Sequence, residues 1–335
     1  MTARSTRRTT RAGAAASSTH GRLARSRFAA VGTIAVAGTL LLAGCGDQTK
    51  DKGDSSDGGK SKSAAGSSSL ADKLPGEIRS AGVIKVGSDI AYAPVEFKDK
   101  SGATAGIDPD LAAALGKKLG VRFDFENGTF DTLITGLRSK RYDIAMSAMT
   151  DTKERQQGID PDTGKKVGEG VDFIDYFNAG VSIYTPKGKT QGITDWPDLC
   201  GKKIVVQRGT VSHDLAKDQA KKCPAGKKLS IEAFDDDQQA QTRLRSGGAD
   251  AGSSDFPVAA YAVKTAGGGN DFELVGDQVQ AAPYGIAVAK GNDQLRDALK
   301  AALDAVIKDG EYGKIIQKWG VGAGSVKQAT VNGGK

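Results

Sequence analysis

The run FDTLITGLRSKRYDIAMSAMTDTKERQQ, Phe130 to Gln157, passes from a helix pattern through a short apolar strand into a second helix start. Leu133, Ile134 and Leu137 recur at helical spacing, and YDIAMSAM reads as a buried strand. Asp151 followed by Glu154 predicts a capping arrangement, with Asp151 at the N-cap and Glu154 reaching back. Ser147 and Thr150 then sit where the strand ends, the place where ligands bind in open α/β sheets. Free amides at the helix start attract anions, and Arg155 adds a planar, permanent cation suited to a carboxylate. Spacing alone leaves a second reading open, in which Arg155 is a surface residue on a capped helix.

The same alternation runs through the chain. GVIKVGSD leads into DPDLAAALGKKLG and VRFDFE. A second set follows with KIVVQRG, TVSHDLAKDQAKK, LSIEAF, DDDQQAQTRLRSGGAD, AGSSD and FPVAAYAVKTA. PYGIAVAK then precedes an amphipathic tail. Alternating strands and helices predict an α/β protein with mixed, mostly parallel sheets. Two sets of similar length predict two similar lobes, with residues 74–178 and 283–326 in the first and 179–282 in the second. VDFIDYFNAGVSIYT between them reads as a connecting strand, so the lobes are expected to share a two-strand hinge. Residues 327–335 are expected to form a disordered tail.

The first 44 residues carry seven arginines, no acid, and the apolar run FAAVGTIAVAGTLLLAGC up to Cys45, which reads as an export signal. A transmembrane anchor would need about 20 apolar residues. Leu42-Ala43-Gly44-Cys45 resembles a bacterial lipobox, which implies lipidation of Cys45; Arg7-Arg8 lacks the apolar residues that normally follow a twin-arginine signal. Residues 46–73 are rich in Gly and Ser and read as a tether spanning about 30 Å. Setting the seven leader arginines aside from 47 basic residues leaves 40, against 40 acidic ones. The basic balance therefore belongs to the leader and does not point to nucleic acid. Cys200 and Cys223 form an even pair in an exported chain and predict a disulfide. A metal site would lack partners, because His213 is the only histidine after the leader.

GSDIAYAPVEF, GIDPDLAAAL and FDTLITGLRSKRYDIAMSAMTDTKERQQ resemble, in order and spacing, the bacterial extracellular solute-binding proteins of family 3, the amino-acid receptors of ABC importers. GKKIVVQRGT, GGADAGSSDFPVAAYAV and the YGIAVAK-to-KWG block agree, so the resemblance spans about Leu74 to Val321. It implies a two-lobed periplasmic-binding-protein type II fold. It also implies that Arg155 clamps a ligand α-carboxylate, with Ser147, Thr150 and the main chain of Ala148 nearby, and that Asp255 receives the α-ammonium. By the same resemblance Tyr92 and Phe130 are apolar walls, Asp89 and Gln207 face the ligand side chain, and Thr210 and Val211 offer hydroxyl and amide contacts. The expected protein is a monomeric, lipid-anchored receptor on the outer face of a Gram-positive cell membrane, with an ABC permease as partner and no cofactor. Two features depart from the family pattern: Ala148 stands where a hydroxyl residue is common, and GIDPDTGKKVGEG (158–170) lengthens the usual link and reads as an exposed hairpin or loop.

An enzyme reading finds no GxSxG, HExxH or P-loop. His213 stands alone near a helix start, and Asp235-Asp236-Asp237 reads as a capped helix start, since neighbours on a helix diverge. Exported cyclohexadienyl dehydratases, which share the fold, are the enzyme alternative, and a ligand-sensing lipoprotein serving a signalling partner is a third. Asp89 and Gln207 together favour a polar, glutamine-like side chain, with a basic amino acid second, because an apolar ligand would leave both unpaired at about 1–3 kcal/mol each.

Overall fold

The computed structural model describes residues 69–334. The leader, Cys45 and most of the expected tether lie outside the described residues. The main sheet contains β1 (Val83–Ser88), β5 (Arg122–Asn127), β6 (Ile144–Ala145), β7 (Val171–Pro186), β8 (Lys203–Gln207), β9 (Ser230–Phe234), β10 (Ala251–Asp255), β11 (Phe272–Ala289) and β12 (Ser325–Val331). A small sheet of β2 (Ala91–Tyr92), β3 (Glu96–Lys98) and β4 (Thr104–Ala105) lies beside it in sequence. The main order is β5-β1-β6-β11-β7-β10-β8-β9, with β12 on β7. Its two flanks pair in parallel, and the long β7 and β11 pair antiparallel from Val171 opposite Ala289 to Pro186 opposite Phe272.

Helices α1 (Gly76–Ala81), α2 (Ile107–Leu119), α3 (Leu133–Arg138), α4 (Lys153–Gln157), α5 (Val211–Lys222), α6 (Asp237–Arg245), α7 (Phe256–Thr265), α8 (Asp293–Lys308) and α9 (Glu311–Trp319) connect these strands. Leu111, Leu115 and Leu119 line one face of α2 at four-residue spacing. They share one core with Ile84 and Val86 of β1 and with Leu295, Leu299 and Leu303 of α8. A separate core beyond the middle of β7 gathers Val181, Ile183, Trp196, Leu199, Ile204 and Val206. Each such fully buried Leu or Ile contributes roughly 1.5–3 kcal/mol, so the two cores on either side of the β7/β11 pair can each hold their own half of the sheet together.

Two expected boundaries are corrected. The region expected to be a disordered tail from residue 327 is instead most of β12, whose alternation buries Ala329 and pairs the strand with β7. The chain stays bound beyond it: Asn332 accepts from Phe173 N at 2.8 Å, and Gly334 N donates to Asp151 at 2.7 Å. At the other end the expected tether stops short of Lys73, because Leu70–Lys73 forms a 3₁₀ turn capped by Ser69 and Asp72.

Cys200 and Cys223 are bonded, with Cα atoms 5.4 Å apart, and tie the turn after Leu199 to the end of α5. Closing a loop of 23 residues' separation restricts the unfolded chain by about 3 kcal/mol. Reduction is therefore expected to lower the melting temperature by on the order of 5–10 °C, read by calorimetry with and without dithiothreitol; an unchanged melt would show that the bridge adds nothing.

Candidate functional site

Four strands deliver residues to one place from their carboxyl ends: β1 into Asp89, β6 into Met146–Thr150, β8 into Gln207–Thr210, and β10 at Asp255. Tyr92, Phe130, Ala148, Thr150, Arg155, Gln207, Thr210, Val211 and Asp255 line a narrow cavity there. The remaining two sequence candidates are joined to it by hydrogen bonds. The Gln207 amide donates to the Asp89 carboxylate, and Asp89 N donates to Ser147 Oγ at 3.0 Å.

Arg155 is placed by a cap other than the expected one. Thr152 is the N-cap of α4, its hydroxyl accepting from Arg155 N at 3.3 Å. Asp151 is buried one residue earlier and accepts instead from Gln156 Nε2 and Gly334 N, both at 2.7 Å. The tail thus takes the carboxylate that would otherwise cap the helix, and Thr152, with extended backbone, caps it. The guanidinium donates to Thr150 O at 2.7 Å and Gly209 O at 3.0 Å, and its carbon lies 5.2 Å from the Phe130 ring centre. Among the described residues no carboxylate pairs with it. Burial pushes its pKa down, partly offset by Asp214 and Asp255. The result is a desolvated cation held by neutral partners, which attracts an anion.

Asp255 has the opposite character. It occupies the N-cap position of α7 but makes no capping bond through its side chain. Its Oδ2 accepts from Tyr284 Oη at 2.8 Å, and its amide donates to Tyr92 Oη at 3.0 Å. Burial raises its pKa to about 6 against the lowering effect of Tyr284 and Arg155. Asp89 is raised to about 7, chiefly by burial; Gln207 lowers it, and Asp236, Asp237 and Asp131 add to the rise. The cavity therefore has a cation and one desolvated acid, Asp255, on its wall, and a second, Asp89, behind Gln207.

Ala148 contributes main chain only, in the left-handed region at φ +46°, which an L residue adopts at a cost. Its amide is held by Asp108 Oδ2 at 3.2 Å. The Thr210 hydroxyl is committed to its own turn, accepting from His213 N at 3.2 Å and donating to Gln207 O at 2.8 Å, so Val211 begins α5 with a free first-turn amide. His213 accepts from Gly209 N at 3.4 Å, and burial beside Lys217 and Arg208 lowers its pKa to about 4, so it is neutral at pH 7. Asp236 caps α6, while Asp237 turns inward to Ser254 and Gln241. No group of three metal-ligating side chains occurs among the described residues.

Residues 158–170 fold back on themselves, pairing Ile159 with Lys166. Asp162 then reaches Lys217 of α5 at 2.7 Å. Together with Asp160, Pro161, Arg208 and His213 they wall the outer mouth of the cleft. Sequence reasoning missed Tyr284, Glu96, Asp108 and Tyr176, all buried at or beneath the site. Signals existed in PYGIAV, APVEF and GIDPDL, where a phenol or an acid interrupts an otherwise apolar segment.

The model of the bacterial extracellular solute-binding proteins, family 3, matches residues 84–322. The chain belongs to that family. Among the family's members, the arginine-binding protein ArgT of Corynebacterium glutamicum is 32% identical over 262 residues, covering 77% of this chain and 81% of ArgT. A solved ancestral arginine-binding protein bound to arginine is 38% identical at a TM-score of 0.63, covering 71% of this chain and 98% of that one. An ancestral arginine-binding protein bound to glutamine is likewise 38% identical, with a TM-score of 0.61, covering 72% and 98%. All three are named as arginine-binding proteins, and the mixed α/β sheet described above is the fold that the two solved structures share with this chain.

Proposed function

We propose that this protein is the receptor of an ABC importer and that its cleft takes one L-amino acid, with a cationic, arginine-like side chain favoured. The carrying observation is the pair of charges without ionic partners: Arg155 bonded only to carbonyls, and Asp255 bonded only to phenols and buried. A zwitterion supplies both missing partners at once, its carboxylate to Arg155 and its ammonium to Asp255. Neither charge needs solvent once the ligand is in place. Tyr92 and Phe130 are the walls between which the side chain runs toward Asp89 and Gln207, with Thr150, Ala148, Thr210 and Val211 around the head group.

At the side-chain end Asp89 has an amide as its side-chain donor, and Asp131, Asp236 and Asp237 add negative potential. That field favours a cation over a neutral amide, which moves the preference from the glutamine-like ligand expected from sequence to the basic one. Glutamine remains the second reading, because Gln207 can exchange hydrogen bonds with another amide and because an ancestral relative was solved with it. Arg155 Nη2 to Gly209 O, Tyr92 to Asp255 N, and Gln207 to Asp89 all link the two halves of the sheet across the cleft. A ligand bridging the same elements favours the closed form about the β7/β11 hinge, and closure is the signal that the permease reads. We further propose that the leader directs export, that Cys45 carries the lipid anchor of a Gram-positive receptor, and that the receptor works as a monomer.

Titrating purified protein with each of the twenty L-amino acids in a thermal-shift screen tests the assignment. Arginine should raise the melting temperature most and glutamine less; leucine or glutamate outranking both would overturn it.

A further inference from the structure

Beneath the cleft, behind the Ser147–Ala148 main chain, lie two acids with no cation. Glu96 of β3 and Asp108 of α2 are both fully buried. Asp108 accepts from Tyr176 Oη at 2.7 Å and from the amide of Ala148 at 3.2 Å. Glu96 Oε1 accepts from Ser147 Oγ at 2.8 Å, and Ser147 in turn accepts from Asp89 N at 3.0 Å. Glu96 Oε2 makes no hydrogen bond among the described residues, and the two carboxyl groups lie close enough for each to perturb the other.

Two ionised carboxylates cannot share such a place: like charges in low dielectric raise each other, and neither has a cation to offset the loss of water. One proton between them resolves both problems. It gives the orphan Oε2 of Glu96 a bond to make, and it leaves Asp108, which already accepts two hydrogen bonds, as the carboxylate. The titratable groups facing the pair are Asp89, whose charge opposes a second negative charge, and the phenols Tyr92 and Tyr176, of which Tyr176 donates to Asp108 and favours the single carboxylate there. Burial, followed for Glu96 by the charge of Asp108, drives both pKa values upward.

We propose that Glu96 and Asp108 share one proton and act as a unit of positioning residues, locking the Ser147–Ala148 main chain from below so that the cleft is shaped before ligand arrives. The proposal rests on the reading of this cleft as the amino-acid site. The connectivity gives the pair a hold on both ends of the ligand. Through Ser147 it fixes the amide of Asp89 at the side-chain end. Through the Ala148 amide it keeps that residue in its strained left-handed conformation beside Thr150, whose carbonyl anchors Arg155. A side chain at position 148 then has no part in the contact, which explains how alanine can stand there: the acid below supports the peptide, and the peptide faces the cleft.

The test compares Glu96→Gln with Glu96→Ala. Glutamine reproduces the protonated acid, with an oxygen for Ser147 and an N–H for Asp108. It should keep affinity for L-arginine and L-glutamine within about threefold of the parent, whereas alanine should weaken both by about tenfold or more in protein that remains folded. The infrared comparison needs no ligand. At about pH 8, above the ranges of Asp89 and Asp255, the parent should show the carbonyl stretch of a protonated carboxyl group that E96Q lacks. A missing band, or E96Q weakening binding as much as E96A, would overturn the proposal. Parent protein that binds neither amino acid would instead sink the reading of the site, and the band would still decide whether the pair shares a proton.

Discussion

Arg155→Ala is expected to abolish measurable binding of L-arginine and L-glutamine while leaving the melting temperature of the free protein nearly unchanged. The side chain leaves the short helix α4 and bonds only to the carbonyls of Thr150 and Gly209, so the fold does not lean on it. The ligand does. Without the guanidinium those two carbonyls face the incoming carboxylate with no donor between them, and a loss of one partner from a buried, hydrogen-bonded charge pair costs about 2–5 kcal/mol, a factor of about 30 to several thousand. Arg155→Lys should recover only part of it, because a point charge cannot serve two carbonyls and a carboxylate in one plane. Asp255→Asn should weaken both ligands to a similar degree: Tyr284 can still donate to the amide oxygen, but the ammonium loses its counter-charge. Titration calorimetry measures all three variants, and near-normal affinity in R155A or D255N would refute the head-group assignment.

What could be read from the sequence follows the range of the interactions involved. Local patterns such as the apolar run KIVVQ and the helix-spaced DLAAALGKKL predicted strand β8, buried on both faces, and helix α2, buried along one. Arg155 was legible as an anion site from its helix start, and resemblance chose that over the surface reading. The cap of that helix was not legible: Asp151 and Thr152 are both good N-caps, and the choice is made by Gly334, 183 residues away, which claims the Asp151 carboxylate. The tail itself was misjudged for a related reason. SVKQATV has little to bury alone and becomes a strand only because β7 offers it an edge. Glu96 and Asp108 were passed over because an acid in an apolar segment reads as an exposed turn until its partners from elsewhere in the chain are brought to it.

Asp89 makes the sharpest statement about which amino acid is bound. Its pKa in the free protein is raised to about 7 by burial, so near neutrality it is only partly ionised. A guanidinium ligand stabilises the carboxylate and must remove the proton where one is present. Above about pH 8 that cost vanishes and arginine affinity should be flat; below about pH 6 affinity should fall by about tenfold per pH unit until the pKa of the complex is reached. Asp255, raised to about 6, adds a second acid limb. That limb belongs to the head group and is common to every amino acid, so the ratio of arginine to glutamine affinity isolates Asp89. The ratio should drop by about fivefold between about pH 7 and pH 6, and by close to tenfold for each further unit. Asp89→Asn should remove the dependence of that ratio on pH and cost arginine about 2–4 kcal/mol, while glutamine is held or improved, since an amide can meet an amide without a desolvated charge. If the arginine-to-glutamine ratio were independent of pH in the parent, or if D89N bound arginine as tightly as the parent, Asp89 would not be the group that reads the side chain. The cation preference would then have to come from Asp131, Asp236 and Asp237 acting at longer range, and salt would weaken it in a way that a direct buried pair resists.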